Sequence, residues 1–94
     1  MARHDGHVDD LRLAFGRRLR ELRDAASQEE IAHRADLHTA YLSRLEHGQQ
    51  APTLDVVNRL ARALNVTLSE FFRPLDRPYR RRLRSRTNRA SKDA

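Results

Sequence analysis

The chain has 94 residues with a formal net charge of +6, 34% charged residues and no cysteine. This length fits one small domain, and the lack of cysteine excludes a disulfide framework and a thiolate metal site. No apolar run approaches the length of a membrane span and the first residues lack a signal-peptide core, so we expect a soluble, cytoplasmic protein without a membrane partner.

The basic charge is confined to the C-terminal part of the chain. Residues 1–72 contain 10 Lys and Arg against 11 Asp and Glu, whereas residues 73–94 contain 9 against 2. A nearly neutral domain binds DNA when its few cations converge on one face, so net charge alone does not decide the function. We divide the chain into a flexible N-terminus at 1–8, a domain at 9–73 and an arginine-rich tail at 74–94.

A first helix is predicted to follow Asp9 or Asp10, because an aspartate side chain accepts hydrogen bonds from the free amides of a first turn. Apolar residues then recur at helical spacing, and the helix should end between Asp24 and Ala26. These apolar residues are Leu11, Phe15, Leu19 and Leu22.

Residues 27–48 predict two helices joined by a tight turn. Ser27 and Glu30 have the spacing of a capping box, which places the helix start directly after Ser27. Asp36 tolerates the left-handed backbone that a tight turn requires. Glycine ends helices for the same reason, so the second helix should stop before Gly48.

The two motif helices are therefore expected at 28–35 and 39–47, and two more helices follow. Thr53 is a natural N-cap for a fourth helix, and Thr67 for a last short one. Pro74 is expected to end the last helix, because proline has no N–H and clashes with the preceding turn. One apolar face of the fourth helix is predicted from Leu54, Val57, Leu60, Ala61 and Leu64, and the last helix contains Leu68, Phe71 and Phe72.

At these residues the chain resembles the helix-turn-helix of the phage-repressor-like DNA-binding domains, also called the Cro or xenobiotic-response-element type. The resemblance is carried by Gln28, Ala32, Leu37, Leu42, Leu45 and Glu46 before Gly48. It extends from Phe15 to Phe72, and residues 60–72 (LARALNVTLSEFF) form a second family signature. It implies an all-α fold, a compact five-helix lambda-repressor-like DNA-binding domain with a basic C-terminal tail.

The sequence departs from this family directly before the motif. Family members usually carry a Gly-Leu pair before the Ser/Thr-Gln of the motif, whereas this chain reads RDAASQ over residues 23–28. The connection is two residues short by this comparison. We expect Ala26 to take the place of the usual leucine in the core.

The resemblance also implies how the motif meets DNA. Its second helix enters the major groove and presents the residues around its core positions Leu42 and Leu45. Arg44 is the strongest candidate for reading a base, because a guanidinium pairs bidentately with guanine O6 and N7. The predicted base-reading residues are Thr39, Ala40, Ser43 and Arg44. The predicted phosphate-binding residues are Gln28, Tyr41, Gln49, Gln50 and Thr53. Tyr41 and Ser43 could each contact either a base or a phosphate.

The same resemblance predicts an ion pair inside the domain. The family counterpart of Glu46 pairs with an arginine near the end of the first helix. Arg23 occupies that position here, so we expect an ion pair between Arg23 and Glu46.

One motif covers only a few base pairs, so we expect a homodimer on a near-palindromic operator. Val56 and Phe72 are the candidate contacts between subunits, and Phe72 has an alternative place in the core.

These features predict sequence-specific binding of double-stranded DNA by a small transcriptional regulator, a repressor or autoregulator of bacterial or phage type. The rival hypothesis is an antitoxin that also neutralises a protein partner, for which the tail offers Leu75, Tyr79 and Leu83. RNA binding has only the arginine-rich tail behind it, since no aromatic stacking platform is visible.

We expect no enzymatic activity, cofactor, metal or small-molecule ligand. Ser43, His47 and Asp55 form a triad only on paper, because nothing supplies an oxyanion hole or a pocket. His4 and His7 have metal-ligand spacing but no third ligand nearby.

The basic tail has three possible roles. It binds flanking phosphates or a minor groove, it dimerises or binds a partner through its apolar residues, or it is a disordered, solubilising end. Tyr79 and Leu83 stand four residues apart, a spacing that fits one face of a helix and also one face of a strand.

Overall fold

A computed structural model of the protein describes the backbone of residues 5–76 and the side chains of residues 10–76. The helices are α1 (Asp5–Arg23), α2 (Gln28–Ala35), α3 (Thr39–Glu46), α4 (Leu54–Ala63) and α5 (68–76). No strand occurs within this range, so the predicted all-α, five-helix fold is confirmed. No helix within it is long and apolar enough to cross a lipid bilayer. The predictions for His4, Tyr79 and Leu83 lie outside the described residues.

Side-chain caps fix where three of the helices begin. Ser27 Oγ accepts a hydrogen bond from the Glu30 backbone N–H at 3.0 Å, and Glu30 Oε1 accepts one from the Ser27 N–H at 2.9 Å. Thr67 and Glu70 form the same reciprocal pair before α5, and the Thr53 hydroxyl caps α4 as predicted. Because the Ser27 and Thr67 N–H groups favour the ionised carboxylates, the pKa values of Glu30 and Glu70 lie below the ordinary value of 4.5.

A residue with left-handed backbone follows each of the first four helices. The angle φ is 51° at Asp24, 58° at Asp36, 71° at Gly48 and 59° at Asn65. After α2, α3 and α4, this residue and the next donate their N–H groups to carbonyls of the last helical turn, the Schellman arrangement. The turns predicted at Asp36 and Gly48 are thereby confirmed, and each one reverses the chain within a few residues.

The core is built from one face of every helix. Phe15 of α1 stacks on Phe71 of α5 with ring centroids 5.1 Å apart, while α3 packs against both α1 and α2, and α4 against α2. Ala26 packs against the edge of this core, as the short connection predicted. The buried apolar residues are Phe15, Leu19, Ile31, Ala32, Ala35, Leu42, Leu45, Val56, Val57, Leu60, Ala61, Phe71 and Leu75.

Helix α1 makes its closest approach to α3 at Gly16. A Cβ atom at this buried position would collide with the Glu46 carbonyl oxygen and lie 2.7 Å from the Leu45 carbonyl oxygen. The last turn of α3 therefore rests directly on the backbone of α1, and any side chain at Gly16 would separate the two helices.

The start of α1 differs from the sequence prediction. The helix begins at Asp5 rather than after a cap at Asp9 or Asp10. The side chain of Leu11 is 48% exposed, because it lies one turn before Phe15 and beyond the edge of the core.

The inward face of α4 also differs from the prediction. Val56 is 6% exposed and belongs to the core, whereas Leu54 is 81% exposed. Val56 stands four residues before Leu60 and shares its face, while Leu54 stands six residues before Leu60 and points about 120° away from it. Val56 therefore does not lie on an exposed face, where the predicted contact with a second subunit placed it.

Pro74 does not end the last helix. A proline at this position deprives the Glu70 carbonyl of its usual N–H donor four residues on, and Arg18 of α1 takes that donor's place. Its Nη2 donates to the Glu70 carbonyl at 2.7 Å, and its Nε donates to the Phe71 carbonyl at 2.9 Å. The helix continues through Pro74, and Leu75 reaches the core with 7% of its surface exposed.

Candidate nucleic-acid interface

Helix α3 has one side in the core and one side on the surface. Leu42, Leu45 and Glu46 are at most 2% exposed, whereas Ala40 and Arg44 are exposed. The remaining predicted contacts, Thr39, Tyr41 and Ser43, are half-buried at the border between the two sides. The side predicted to meet DNA is thus free of the protein's own interior.

Arg44 is held by two neighbours on this outer side. Its Nε donates a hydrogen bond to Gln50 Oε1 at 2.8 Å, and its guanidinium carbon lies 5.9 Å from the centroid of the Tyr41 ring, within reach of a cation–π interaction. Among the described residues, no carboxylate pairs with Arg44, so its charge remains available to a ligand.

The Arg23–Glu46 ion pair that the resemblance implied is present on the inner side of α3. Arg23 Nε and Nη2 donate to the two Glu46 carboxylate oxygens at 2.6 and 2.9 Å, and Arg23 Nη1 donates to the Ala26 carbonyl at 2.9 Å. The hydrogen bond to Glu46 raises the pKa of Arg23 above its ordinary value. The pair joins the end of α1 to the end of α3.

Gln28, predicted to bind phosphate, is a third partner of this pair. Its side-chain Nε2 donates to Glu46 Oε1 at 2.8 Å, so the amide is turned toward the carboxylate inside the domain. Glu29 and Glu30 add negative charge to the same first turn of α2. The binding of phosphate by Gln28 stays a prediction. The hydrogen bond that Gln28 makes to Glu46 joins α2 to α3 inside the domain.

The other predicted phosphate ligands differ in their freedom to bind. Gln49 is exposed, while Gln50 Oε1 already accepts from Arg44 and Thr53 Oγ1 accepts the Val56 N–H as the cap of α4. Their contacts with phosphate stay predictions.

Ser43, His47 and Asp55 do not contact one another in the manner of a catalytic triad. His47 Nδ1 lies 2.8 Å from the backbone oxygen of Ser43 rather than its hydroxyl, and Asp55 pairs with Arg59 at 3.2 Å. Within the described side chains, no group of three or more His, Asp or Glu residues could hold a metal ion.

An apolar groove of about 300 Å³ lies between the middle of α1, the start of α4 and α5. Leu11, Leu54 and Phe72 are 48%, 81% and 36% exposed and form its rim, with Ala51 and Pro52 beside them. The centroid of the Phe72 ring also lies 5.2 Å from that of Phe71 and 6.0 Å from that of Phe15, so this residue packs on the core and also borders the groove. Its contact with a second subunit stays a prediction.

Residues 14–71 match the family model of a helix-turn-helix domain. The chain belongs to the helix-turn-helix family. Among its relatives, control protein C.BamHI from Bacillus amyloliquefaciens is 36% identical over 62 residues, which are 63% of this chain and 76% of that protein. Control protein C.MunI from Mycoplasma is 32% identical over 73 residues, or 74% of this chain and 99% of that protein.

This helix-turn-helix chain also resembles a solved structure of a controller protein. The restriction-modification controller protein C.AhdI from Aeromonas hydrophila is 40% identical, with a TM-score of 0.63 over 67% of this chain and 97% of that one. All three relatives are named as control or controller proteins. They give no support to the antitoxin alternative.

Proposed function

We propose that this helix-turn-helix regulator is a controller protein of a restriction-modification system, which binds a specific duplex DNA sequence and regulates transcription from it. The observation that carries the proposal is the outward side of α3, where Arg44 is exposed on a helix anchored from within by Leu42, Leu45 and Glu46. A helix held in this way can enter a major groove without losing its own packing.

The proposed base-reading residues are Thr39, Ala40, Ser43 and Arg44. Arg44 offers a bidentate fork to guanine, while Ala40 and the Thr39 methyl offer apolar contact to a thymine methyl. Phosphate contacts are proposed for Gln49 and for Tyr41, whose hydroxyl is the polar end of a half-buried side chain.

A homodimer on a near-palindromic operator is part of this proposal, with half-sites roughly 34 Å apart. We propose the apolar groove as the subunit contact, in place of Val56. Leu54 and Leu11 leave large apolar surfaces in water at its rim, and covering such a patch with a second copy is favourable. A cytoplasmic location and the absence of enzymatic activity complete the proposal, in keeping with a family of DNA-binding regulators.

The proposal is tested by selecting bound sequences from a random duplex pool with the full chain and with Arg44→Ala. We expect the full chain to select one motif, and Arg44→Ala to lose preference at one base pair per half-site, by a factor that corresponds to about 1–3 kcal/mol. If the full chain competes for no duplex better than for random polymer, the proposed function is wrong.

The dimer is tested by measuring mass in solution for Leu54→Glu, with Leu68→Glu as its matched control. Both leucines are exposed, so neither substitution disturbs the core, but only Leu54 borders the groove. We expect Leu54→Glu to shift the protein to monomer at concentrations where the unmodified chain and Leu68→Glu are dimeric. A dimeric Leu54→Glu variant would place the contact elsewhere.

A further inference from the structure

The loop after α3 returns the chain beside the helix it has just left. The Gly48 N–H donates to the Leu45 carbonyl at 3.1 Å and the Gln49 N–H donates to the Arg44 carbonyl at 2.9 Å, with a left-handed Gly48 between them. This tight reversal brings the side chain of Gln50 alongside Arg44, six residues earlier. The loop thus supplies a side chain to the outer surface of α3.

Two contacts restrict the Arg44 guanidinium before any ligand arrives. Gln50 Oε1 accepts from Nε at 2.8 Å, and the Tyr41 ring lies 5.9 Å from the guanidinium carbon. An unrestrained arginine samples many rotamers and loses that freedom on binding. With Nε occupied by Gln50, the edge formed by Nη1 and Nη2 is left to make a paired contact.

We infer that Gln50 is a specificity-determining positioning residue, which holds Arg44 by its Nε so that the Nη1 and Nη2 edge faces the O6 and N7 atoms of one guanine. The inference rests on the proposed base-reading role of Arg44 and replaces the predicted phosphate contact of Gln50. Gln50 touches no base in this arrangement and acts through Arg44.

The two roles of Gln50 lead to different measurements. An uncharged side chain that binds phosphate adds affinity for every sequence, so its removal weakens binding to all duplexes equally. A side chain that orients Arg44 changes the ratio between duplexes that differ at one base pair. The salt slope stays unchanged in both cases, because an uncharged amide neutralises no phosphate, so the ratio is the measurement that separates the two roles.

The experiment uses the full chain and the duplex selected by it, together with duplexes in which the base pair read by Arg44 is replaced by each of the other three. Gln50→Ala is compared with Arg44→Ala and with Gln49→Ala, the exposed neighbour as a matched control. We expect Gln50→Ala to reduce discrimination at that base pair about three- to tenfold, the range of one exposed hydrogen bond. Gln49→Ala removes a proposed phosphate contact, so it should weaken binding to all duplexes equally and leave this ratio unchanged.

A conservative variant separates orientation from general disturbance of the loop. Gln50→Glu keeps an oxygen acceptor for Arg44 Nε, so it should retain the discrimination that Gln50→Ala loses, while its negative charge lowers affinity for all duplexes. In the free protein, the NMR signal of the Arg44 Nε–H should shift and exchange faster in Gln50→Ala than in Gln49→Ala, at an unchanged melting temperature.

Three outcomes would overturn the inference. If Gln50→Ala weakens binding to all duplexes equally, Gln50 is a phosphate ligand. If Arg44→Ala relaxes one base pair and Gln50→Ala does not, Arg44 reads its base without help, and the proposed function stands. If Arg44→Ala relaxes no base pair, the inference falls together with the base-reading role.

Discussion

Glu46 is a buried carboxylate whose partners come from two other helices. It is 2% exposed and accepts hydrogen bonds from Arg23 and Gln28 at 2.6 to 2.9 Å. A buried charge is tolerated when it is paired and its oxygens are satisfied. This cluster therefore fixes the end of α3 against α1 and α2, and it sets the direction in which the outer side of the helix points.

Removing Arg23 should expose the cost of burying Glu46. We expect Arg23→Met to lower the free energy of unfolding by about 3 kcal/mol, because the carboxylate then keeps only the Gln28 donor. Urea unfolding measures this change, with Arg17→Met on the exposed side of α1 as the control. Adding Glu46→Gln to Arg23→Met should recover part of the stability, and no recovery in that double variant would mean that packing rather than charge is responsible.

At the scale of elements, capping boxes make the starts of α2 and α5 sensitive to acid. The pKa values of Glu30 and Glu70 are lowered in the folded protein by the N–H groups of Ser27 and Thr67. A lowered folded-state pKa contributes stability above the unfolded value, near 4.5, and this contribution is lost as pH falls through the folded pKa.

We expect the melting temperature of a Glu30→Gln, Glu70→Gln variant to fall less than that of the unmodified protein between about pH 5 and pH 3. Glutamine keeps the reciprocal hydrogen bond but does not titrate, so the difference isolates the two carboxylates. Calorimetry at several pH values measures it. Parallel curves for the two proteins would show that other groups dominate acid unfolding.

Helix α5 depends on α1 in a way that couples Pro74 to Arg18. Arg18→Met should destabilise the protein by about 1–2 kcal/mol, because it leaves the Glu70 carbonyl without a strong donor. In a Pro74→Ala background the restored N–H supplies that donor, so the same substitution should have a smaller effect. A double-mutant cycle in urea measures this coupling, and strictly additive effects would contradict it.

The helices that sequence rules predicted best are those decided by near neighbours. The bounds of α2 followed from Ser27 and Glu30, and the turn at Asp36 from one tolerant residue. The predictions that were wrong concern residues with partners far away in the sequence. Pro74 does not end α5, because Arg18, 52 residues before Glu70, donates to the Glu70 carbonyl. Likewise, the Gln50 to Arg44 contact is created by a loop reversal, which no pattern of spacing along the chain revealed.

At the scale of the whole molecule, the basic charge of the tail is expected to add to the affinity of the domain for DNA. Residues 77–94 carry eight Lys and Arg against one Asp. If they bind flanking phosphates, deleting them should flatten the plot of log affinity against log salt by about 0.9 for each phosphate that the tail neutralises. Fluorescence anisotropy at several salt concentrations measures the slope.

A scrambled tail of the same composition is the control for this deletion. It should restore the slope, because attraction to phosphates does not depend on residue order, whereas a tail that dimerises through Tyr79 and Leu83 would not be restored. An unchanged slope after deletion would leave the tail without a role in DNA binding.

The separation of α3 into a packed side and an outer side bears on how such proteins diverge. Substitutions at the exposed Ala40 and Arg44 alter no core contact, so under the proposed function a duplicated gene can acquire a new recognition code without passing through an unstable intermediate. The same separation lets an engineer randomise the outer positions as a library on a constant scaffold, and screen for targets rather than for folding.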